Sequence, residues 1–190
     1  MIRFFDVVLS IIALIILSPL LLITALVILI TSGRPILYIH TRIGKDRKPF
    51  KLYKFRTMVK DAHKMRELLQ DKNEAQWPFF KMTNDPRITK VGKILRKTSI
   101  DELPQLINII KGDMAIVGPR PLPPEEASVC DDRKFAVRPG LTGPRQLVRY
   151  KAVSVEERDA MEIAYVEDKH KFKTNLIIIL KTFGVLFKGD

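Results

Sequence analysis

The chain has 190 residues, enough for one domain with a core of its own, and its 33 Lys and Arg against 21 Asp and Glu give a net charge of +12. A surplus of that size favours an anionic partner: nucleic acid, an acidic membrane surface or a phosphorylated small molecule. A single cysteine, Cys130, excludes an internal disulfide and reads as an idle buried thiol, and His40, His63 and His170 stand too far apart to form a zinc motif such as HExxH.

From Val7 to Ser32 there is no charged residue. Such a run is long enough for a bilayer-crossing helix, which needs roughly 20 apolar residues. It is too long for the apolar core of a cleavable signal peptide, and no Ala-x-Ala-like site ends it. Pro19 removes a backbone donor and crowds the preceding turn, which favours a kink at Ser18-Pro19. Two readings stay open here: a single spanning helix, or a helix bent at Ser18-Pro19 that returns to the face it entered. Basic residues flank both ends, with Arg3 before and Arg34, Arg42 and Lys45 after, and basic flanks prefer the cytoplasmic side.

Ile36 to His40 and Leu52 to Phe55 read as short strands with Gly44-Lys45-Asp46 as the turn between them. Good helix formers fill Asp61 to Gln76, and Asn84-Asp85-Pro86 signals a turn. Val91, Ile94 and Leu95 recur at helical spacing; Leu103, Leu106, Ile107 and Ile110 form a second stripe that stops at Gly112. Met114 to Val117 is a strand candidate, and the prolines from Pro119 to Pro124 predict an ordered loop. Val155 to Lys171 reads as a charged helix. Leu176 to Phe187, apolar with lysines at 173, 181 and 188, reads either as a membrane-surface helix or as a C-terminal helix docked on the core. There is no internal repeat and no long linker. The expected class is α+β and mostly helical, with short strands.

Two runs could carry chemistry. In Ser99-Ile100-Asp101-Glu102-Leu103-Pro104-Gln105, adjacent carboxylates stand where a helix begins. Ser99 with Glu102 matches a capping box, a purely structural role. The same position, with cations such as Arg96 nearby, would hold Asp101 ionised, as a nucleophile toward phosphorus or a ligand for Mg²⁺. In Gly118-Pro119-Arg120-Pro121, two prolines restrict the backbone around Arg120, whose planar donor fork suits phosphate oxygens. Arg42, Lys54, Arg56 and Arg138 are ordinary surface charges singly; together with Arg96 and Arg120 they could neutralise several phosphates. Neither a Walker A sequence nor GxGxxG occurs.

These motifs, taken in order, resemble the bacterial sugar transferase family, the monotopic polyprenyl-phosphate phosphoglycosyl transferases. The resemblance covers nearly the whole chain and rests on Ser18-Pro19, Arg42-Ile43-Gly44, Tyr53-Lys54-Phe55-Arg56-Thr57-Met58, Asn84-Asp85-Pro86-Arg87-Ile88-Thr89, Leu95 to Gln105, Lys111-Gly112-Asp113-Met114, Gly118-Pro119-Arg120-Pro121 and Arg138-Pro139-Gly140-Leu141-Thr142-Gly143. It implies a re-entrant membrane helix over residues 1–33, broken at Ser18-Pro19. Residues 34–190 would form a small catalytic domain with C-terminal interfacial helices, on the cytoplasmic face of the bacterial inner membrane. It implies that Asp101 attacks the β-phosphorus of a UDP-sugar, expelling UMP, and that polyprenyl (undecaprenyl) phosphate then takes the sugar phosphate from the aspartyl ester. Glu102 would help Asp101 bind Mg²⁺ and handle protons, and Arg120 would clamp phosphate, with Arg42, Lys54, Arg56, Arg96 and Arg138 as further substrate-binding candidates.

The chain departs from the family at Pro144-Arg145-Gln146-Leu147-Val148-Arg149-Tyr150, where many members continue with a Trp-Gln-Val-Ser-Gly-Arg-like segment; this bears on the donor and acceptor pockets. It lacks the multi-span region of larger relatives and is expected to be a minimal catalytic form. The Asn84-Asp85-Pro86 region leans toward UDP-hexose users such as galactose or glucose, and a homo-oligomer is left open. The rivals are a non-catalytic basic protein of the membrane surface, binding anionic lipid, and an enzyme that transfers the sugar alone and releases UDP. Nucleic-acid binding is not expected, because the basic residues are not paired with stacking aromatics and the apolar N-terminus would go unexplained.

Overall fold

The computed structural model describes residues 2–75, 78–80, 82–147 and 154–188. The uninterrupted apolar run becomes α1, Ile2–Ser32, with Pro19 inside it. The helix continues through the proline. Pro19 has no N–H to offer the carbonyl of Ile15, and the Ser18 hydroxyl donates to that carbonyl instead, at 2.8 Å. Helical backbone thus runs on both sides of Ser18-Pro19, with the Ser18 hydroxyl standing in for the missing donor.

α1 has an inverted burial pattern. Its buried residues are Asp6, Ser10, Thr24 and Ile28, while Phe4, Ile15, Ile16, Leu22 and Ile30 are among its exposed ones. Only 11% of its most apolar window is buried, and it is long and apolar enough to cross a membrane. Both of its ends are fastened to the same body. Near the start, the Arg3 guanidinium donates to the carbonyls of Ile109 and Met114, and Asp6 accepts from the Ile116 amide at 3.3 Å. At the other end, Arg56 donates to the carbonyls of Ser32 and Gly33.

The expected hairpin is present and longer than predicted: β1, Leu37–Ile43, pairs antiparallel with β2, Pro49–Phe55, in the register Leu37↔Phe55 to Ile43↔Pro49. The register puts Tyr38, His40 and Arg42 of β1 on the same face as Lys54, Leu52 and Phe50 of β2. The helix expected over Asp61 to Gln76 shrinks to α2, Met65–Leu68, followed by a 3-10 turn at Gln70–Lys72; Gln76 lies outside the described residues. Its formers are good, but it has no apolar stripe to bury: Leu68 is 83% exposed, so packing does not offset the cost of nucleating a helix.

α3, Lys90–Lys97, is capped by the Thr89 hydroxyl on the Gly92 amide and buries Leu95 while Ile94 faces out. A 3-10 turn at Ile100–Glu102 leads into α4, Gln105–Lys111, which ends at Gly112 with φ +99°. The face of α4 that is buried carries Leu106 and Ile109; Ile107, counted in the predicted stripe, is exposed. β3, Ala115–Val117, pairs in parallel with β4, Gly140–Thr142, and α5, Pro124–Ala127, follows the proline-rich loop. α6, Val155–Glu167, begins in a full capping box of Ser154 and Glu157, and α7, Lys171–Lys188, closes the chain.

The core sits between α1, the hairpin and α4. Leu52, Leu106, Ile109 and Met114 form one buried cluster, with Ala13 and Leu14 of α1 against it; Phe55, Leu95 and Ile28 form another. Cys130 is buried as expected, and burial pushes its thiol up to about 11, which leaves it unreactive. α7 leaves Phe172, Leu176, Ile177, Leu180 and Phe183 exposed, and Phe172 meets Phe5 of α1, so the apolar surfaces of the two helices adjoin.

Candidate active site

The Asp101-Glu102 pair lies in the 3-10 turn, not in the first turn of a capped helix. Ser99 has φ +55° and its side chain makes no cap bond, so the capping-box reading of Ser99 and Glu102 does not hold. Glu102 turns instead to the hairpin, where Lys54 donates to its Oε1 at 2.5 Å. Asp101 is 7% exposed. Burial pushes its carboxyl up to about 6; the ammonium of Lys54 pulls it down, the neighbouring Glu102 charge pushes it up, and Arg96 pulls it down. Burial would raise Glu102 as well, but Lys54 and Arg120 outweigh it and hold that carboxyl below its ordinary range. The adjacent acids are therefore unequal: Glu102 is firmly ionised and Asp101 titrates close to neutrality.

A shallow open cleft is lined by Arg42, Leu52, Lys54, Glu102, Gln105, Arg120, Pro121, Gly140, Leu141 and Gln146. Arg42 enters from β1; burial and the adjacent Arg120 charge lower its pKa to about 10. Its Nε is buried with no hydrogen-bond partner among the described residues, as is Oε1 of Gln146. Arg96, on α3, donates from Nε to the Thr57 hydroxyl at 2.9 Å, and its charge bears on Asp101. Glu126, half-buried and raised by burial, lies in the field of Arg42, Arg145, Arg120 and Arg66.

The backbone that presents Arg120 is made possible by glycine. A Cβ on Gly140 would fall 2.1 Å from the amide nitrogen of Gly118, so the Gly118-Pro119-Arg120-Pro121 and Arg138-Pro139-Gly140-Leu141-Thr142-Gly143 runs can lie against each other only without side chains there. The contact is sealed by Gly118 N–H to the Thr142 carbonyl and Gly140 N–H to the Pro119 carbonyl, both at 2.9 Å.

The structure thus brings Arg42, Lys54, Glu102 and Arg120 to the cleft, with Asp101 and Arg96 outside its lining and tied to it through the charges of Lys54 and Glu102. It leaves Arg56 and Arg138 elsewhere. Arg56 caps the C-terminal carbonyls of α1, and Arg138 donates to the Gly112 carbonyl at the end of α4 at 2.8 Å. Helix C-termini attract guanidinium groups for the same reason phosphates do, so charge in the sequence does not separate the two roles. Residues not foreseen are Gln105 and Gln146 in the cleft lining and Glu126 in the field of its arginines. Gln105 was within the Asp101 motif and Gln146 within the divergent segment, so both had a signal; Glu126 had none. Val148, Arg149 and Tyr150 of that segment lie outside the described residues.

Asp101 and Glu102 are the oxygen donors that would hold a magnesium ion, with Glu102 already engaged by Lys54 through one oxygen. Mg²⁺ takes oxygen ligands and is commonly held by one or two carboxylates with substrate phosphates, and a divalent cation would relieve the repulsion that Glu102 exerts on Asp101. Among the described residues no cluster of three or more His, Cys, Asp or Glu side chains occurs, so substrate oxygens would complete the shell.

Acids ringed by cations, on a body that carries a long exposed apolar helix, are what a membrane-associated transferase for phosphorylated substrates requires. The chain belongs to the bacterial sugar transferase family, whose pattern it matches over residues 1–189. It is 41% identical over 187 residues to the exopolysaccharide production protein ExoY of Sinorhizobium fredii, covering 95% of this chain and 82% of that one. It is 40% identical over 195 residues to the undecaprenyl-phosphate galactose phosphotransferase of Salmonella typhimurium, covering 99% of this chain and 40% of that one. It is 34% identical over 198 residues to the UDP-N-acetylgalactosamine-undecaprenyl-phosphate N-acetylgalactosaminephosphotransferase of Aeromonas hydrophila, with 98% and 44% covered. The chain spans less than half the length of these last two relatives.

Proposed function

We propose that this chain transfers a sugar 1-phosphate from a UDP-sugar to polyprenyl phosphate, with release of UMP, as a membrane step of polysaccharide or glycoconjugate assembly. The relatives named for moving galactose phosphate or N-acetylgalactosamine phosphate to undecaprenyl phosphate support the reaction class. The observation that carries it is Asp101: a nearly buried carboxylate that titrates near 6, under the field of Lys54 and Arg96 and beside a cleft holding Arg42 and Arg120. An acid held in an ion pair is driven the other way, as Glu102 is.

In the first half of the reaction an Asp101 oxygen attacks the β-phosphorus, the bond to the UMP oxygen breaks, and UMP leaves with that electron pair. In the second, an oxygen of polyprenyl phosphate attacks the same phosphorus and Asp101 leaves as the free carboxylate. Arg42, Arg120 and Lys54 neutralise the phosphates through both halves. Asp101 and Glu102 would be the residues to hold a magnesium ion, which would supply further charge neutralisation to the diphosphate. The double displacement lets a water-soluble donor and a lipid acceptor use one site in turn.

The lipid acceptor requires the site to face the membrane. α1 is about 46 Å long at 1.5 Å per residue and is hooked to the body at both ends, so an upright crossing would drag polar groups into hydrocarbon. Both ends on one face, the cytoplasmic one, is the arrangement we infer, with α7 on the membrane surface. Full-length protein in detergent, given Mg²⁺, UDP-galactose and undecaprenyl phosphate, is expected to release UMP, and Asp101→Asn to abolish release. UDP as the leaving nucleotide would replace this reading with simple glycosyl transfer; activity that survives Asp101→Asn would remove the nucleophile.

A further inference from the structure

The Arg120 side chain is exposed to the cleft and makes no hydrogen bond or ion pair among the described residues, while its backbone is held from several sides. The amide of Gly118 and the carbonyl of Pro119 are bound by β4, and the carbonyl of Val117 accepts from the Tyr165 hydroxyl of α6 at 3.1 Å. In Pro119-Arg120-Pro121 the prolines have no N–H, so the Arg120 amide is the single backbone donor, and Oε1 of Glu162 takes it at 2.6 Å. Glu162 and Tyr165 sit three apart on α6 and so share one face. Glu162 has no exposed surface; its second oxygen lies 2.6 Å from Nζ of Lys134 as an ion pair, without hydrogen-bond geometry. The Lys134 side chain is 1% exposed and also meets Asp159 at 2.7 Å.

Burying a carboxylate and an ammonium together gains little for stability, and apolar replacements are often as stable. A charged acceptor does give the amide a stronger and more directional bond than a neutral one. We propose that Glu162 is a positioning residue for the transfer: its carboxylate, anchored by Lys134, fixes the backbone from which Arg120 reaches substrate phosphate. The inference rests on Arg120 acting as the phosphate clamp. The three groups come from separate places in the chain: α6, the 3-10 turn Asp132–Ala136 that carries Lys134, and the loop after β3.

A double-mutant cycle on the full-length enzyme tests this, with UMP release from UDP-galactose as the readout. Glu162→Ala is expected to lower kcat/KM about tenfold, chiefly by raising KM for the nucleotide sugar, and to cause no further loss in an Arg120→Ala background. If Glu162→Ala does not fold, Glu162→Gln carries the same cycle, since it keeps the size and loses the anchor to Lys134. Equal losses in both backgrounds would mean that Glu162 serves the fold alone, and would overturn this inference while leaving the clamp in place. An Arg120→Ala enzyme with unchanged kcat/KM would overturn the clamp, and this inference with it.

Discussion

A nucleophilic carboxylate at a membrane enzyme's site has to be ionised at neutral pH without being locked into an ion pair. Asp101, the proposed nucleophile, would meet both demands because its neighbours divide the labour. Lys54 bonds to Glu102 and acts on Asp101 only through its field. With its carboxyl pushed up to about 6, Asp101 is still mostly ionised at pH 7. The rate of UMP release from the free enzyme is therefore expected to fall as pH drops through about 6, read from a kcat/KM profile. Lys54→Met removes a cation that lowers the Asp101 pKa, so the acid limb of that profile should move to higher pH; a limb that stays put would mean that another group titrates. Stability runs opposite to activity. A carboxyl raised on folding favours the folded state below its unfolded pKa, and that contribution is lost as pH rises through the folded value. Asp101→Asn is thus expected to be inactive yet more stable than wild type at pH 7–8, by roughly 1–3 kcal/mol, with the gain disappearing near pH 4 in thermal unfolding curves.

At the scale of elements, the parts of the fold that were legible in the sequence are those whose signal is local. The hairpin follows from short strands around a Gly44 turn, and α4 from a stripe that ends at Gly112. Met65–Leu68 was overestimated because propensity without an apolar face does not make a helix. The site was half legible. Motif order pointed to Asp101, Glu102, Arg42, Lys54, Arg96 and Arg120, but Arg56 and Arg138 went to helix ends, a tertiary decision. Glu162, one acid among several on α6, carried no signal because its partners lie about 30 and 40 residues away. The glycine contact gives this scale its prediction. Gly140→Ala would push a methyl group to 2.1 Å from the Gly118 nitrogen and 2.3 Å from the Thr142 oxygen, parting β3 from β4. A loss of more than about 2 kcal/mol, or failure to fold, is expected from denaturant unfolding in detergent; a variant as stable as wild type would show that the strands can slide apart freely.

At the scale of the whole molecule, the +12 charge and the apolar surface are two halves of one arrangement. Cations line the cleft, and exposed side chains of α1 and α7, which meet at Phe5 and Phe172, supply an apolar face. Hydropathy alone left two topologies for α1. The docking of Arg3 and Asp6 at one end, and of Ser32 and Gly33 at the other, favours the one in which both ends share a face. In a Cys130→Ser background, single cysteines replacing Ile2 and Arg34 are expected to react with an impermeant maleimide from the same side of sealed vesicles; protection of one only would mean a spanning helix.

The central claim is covalent chemistry at Asp101, and intact-mass measurement of the full-length protein tests it most directly. Incubated with Mg²⁺ and UDP-galactose but no lipid acceptor, wild type should gain the mass of a hexose phosphate. Peptide mapping should place it on Asp101, and undecaprenyl phosphate should discharge it. An enzyme that releases UMP only when the acceptor is present, and never carries the adduct, would contradict the account.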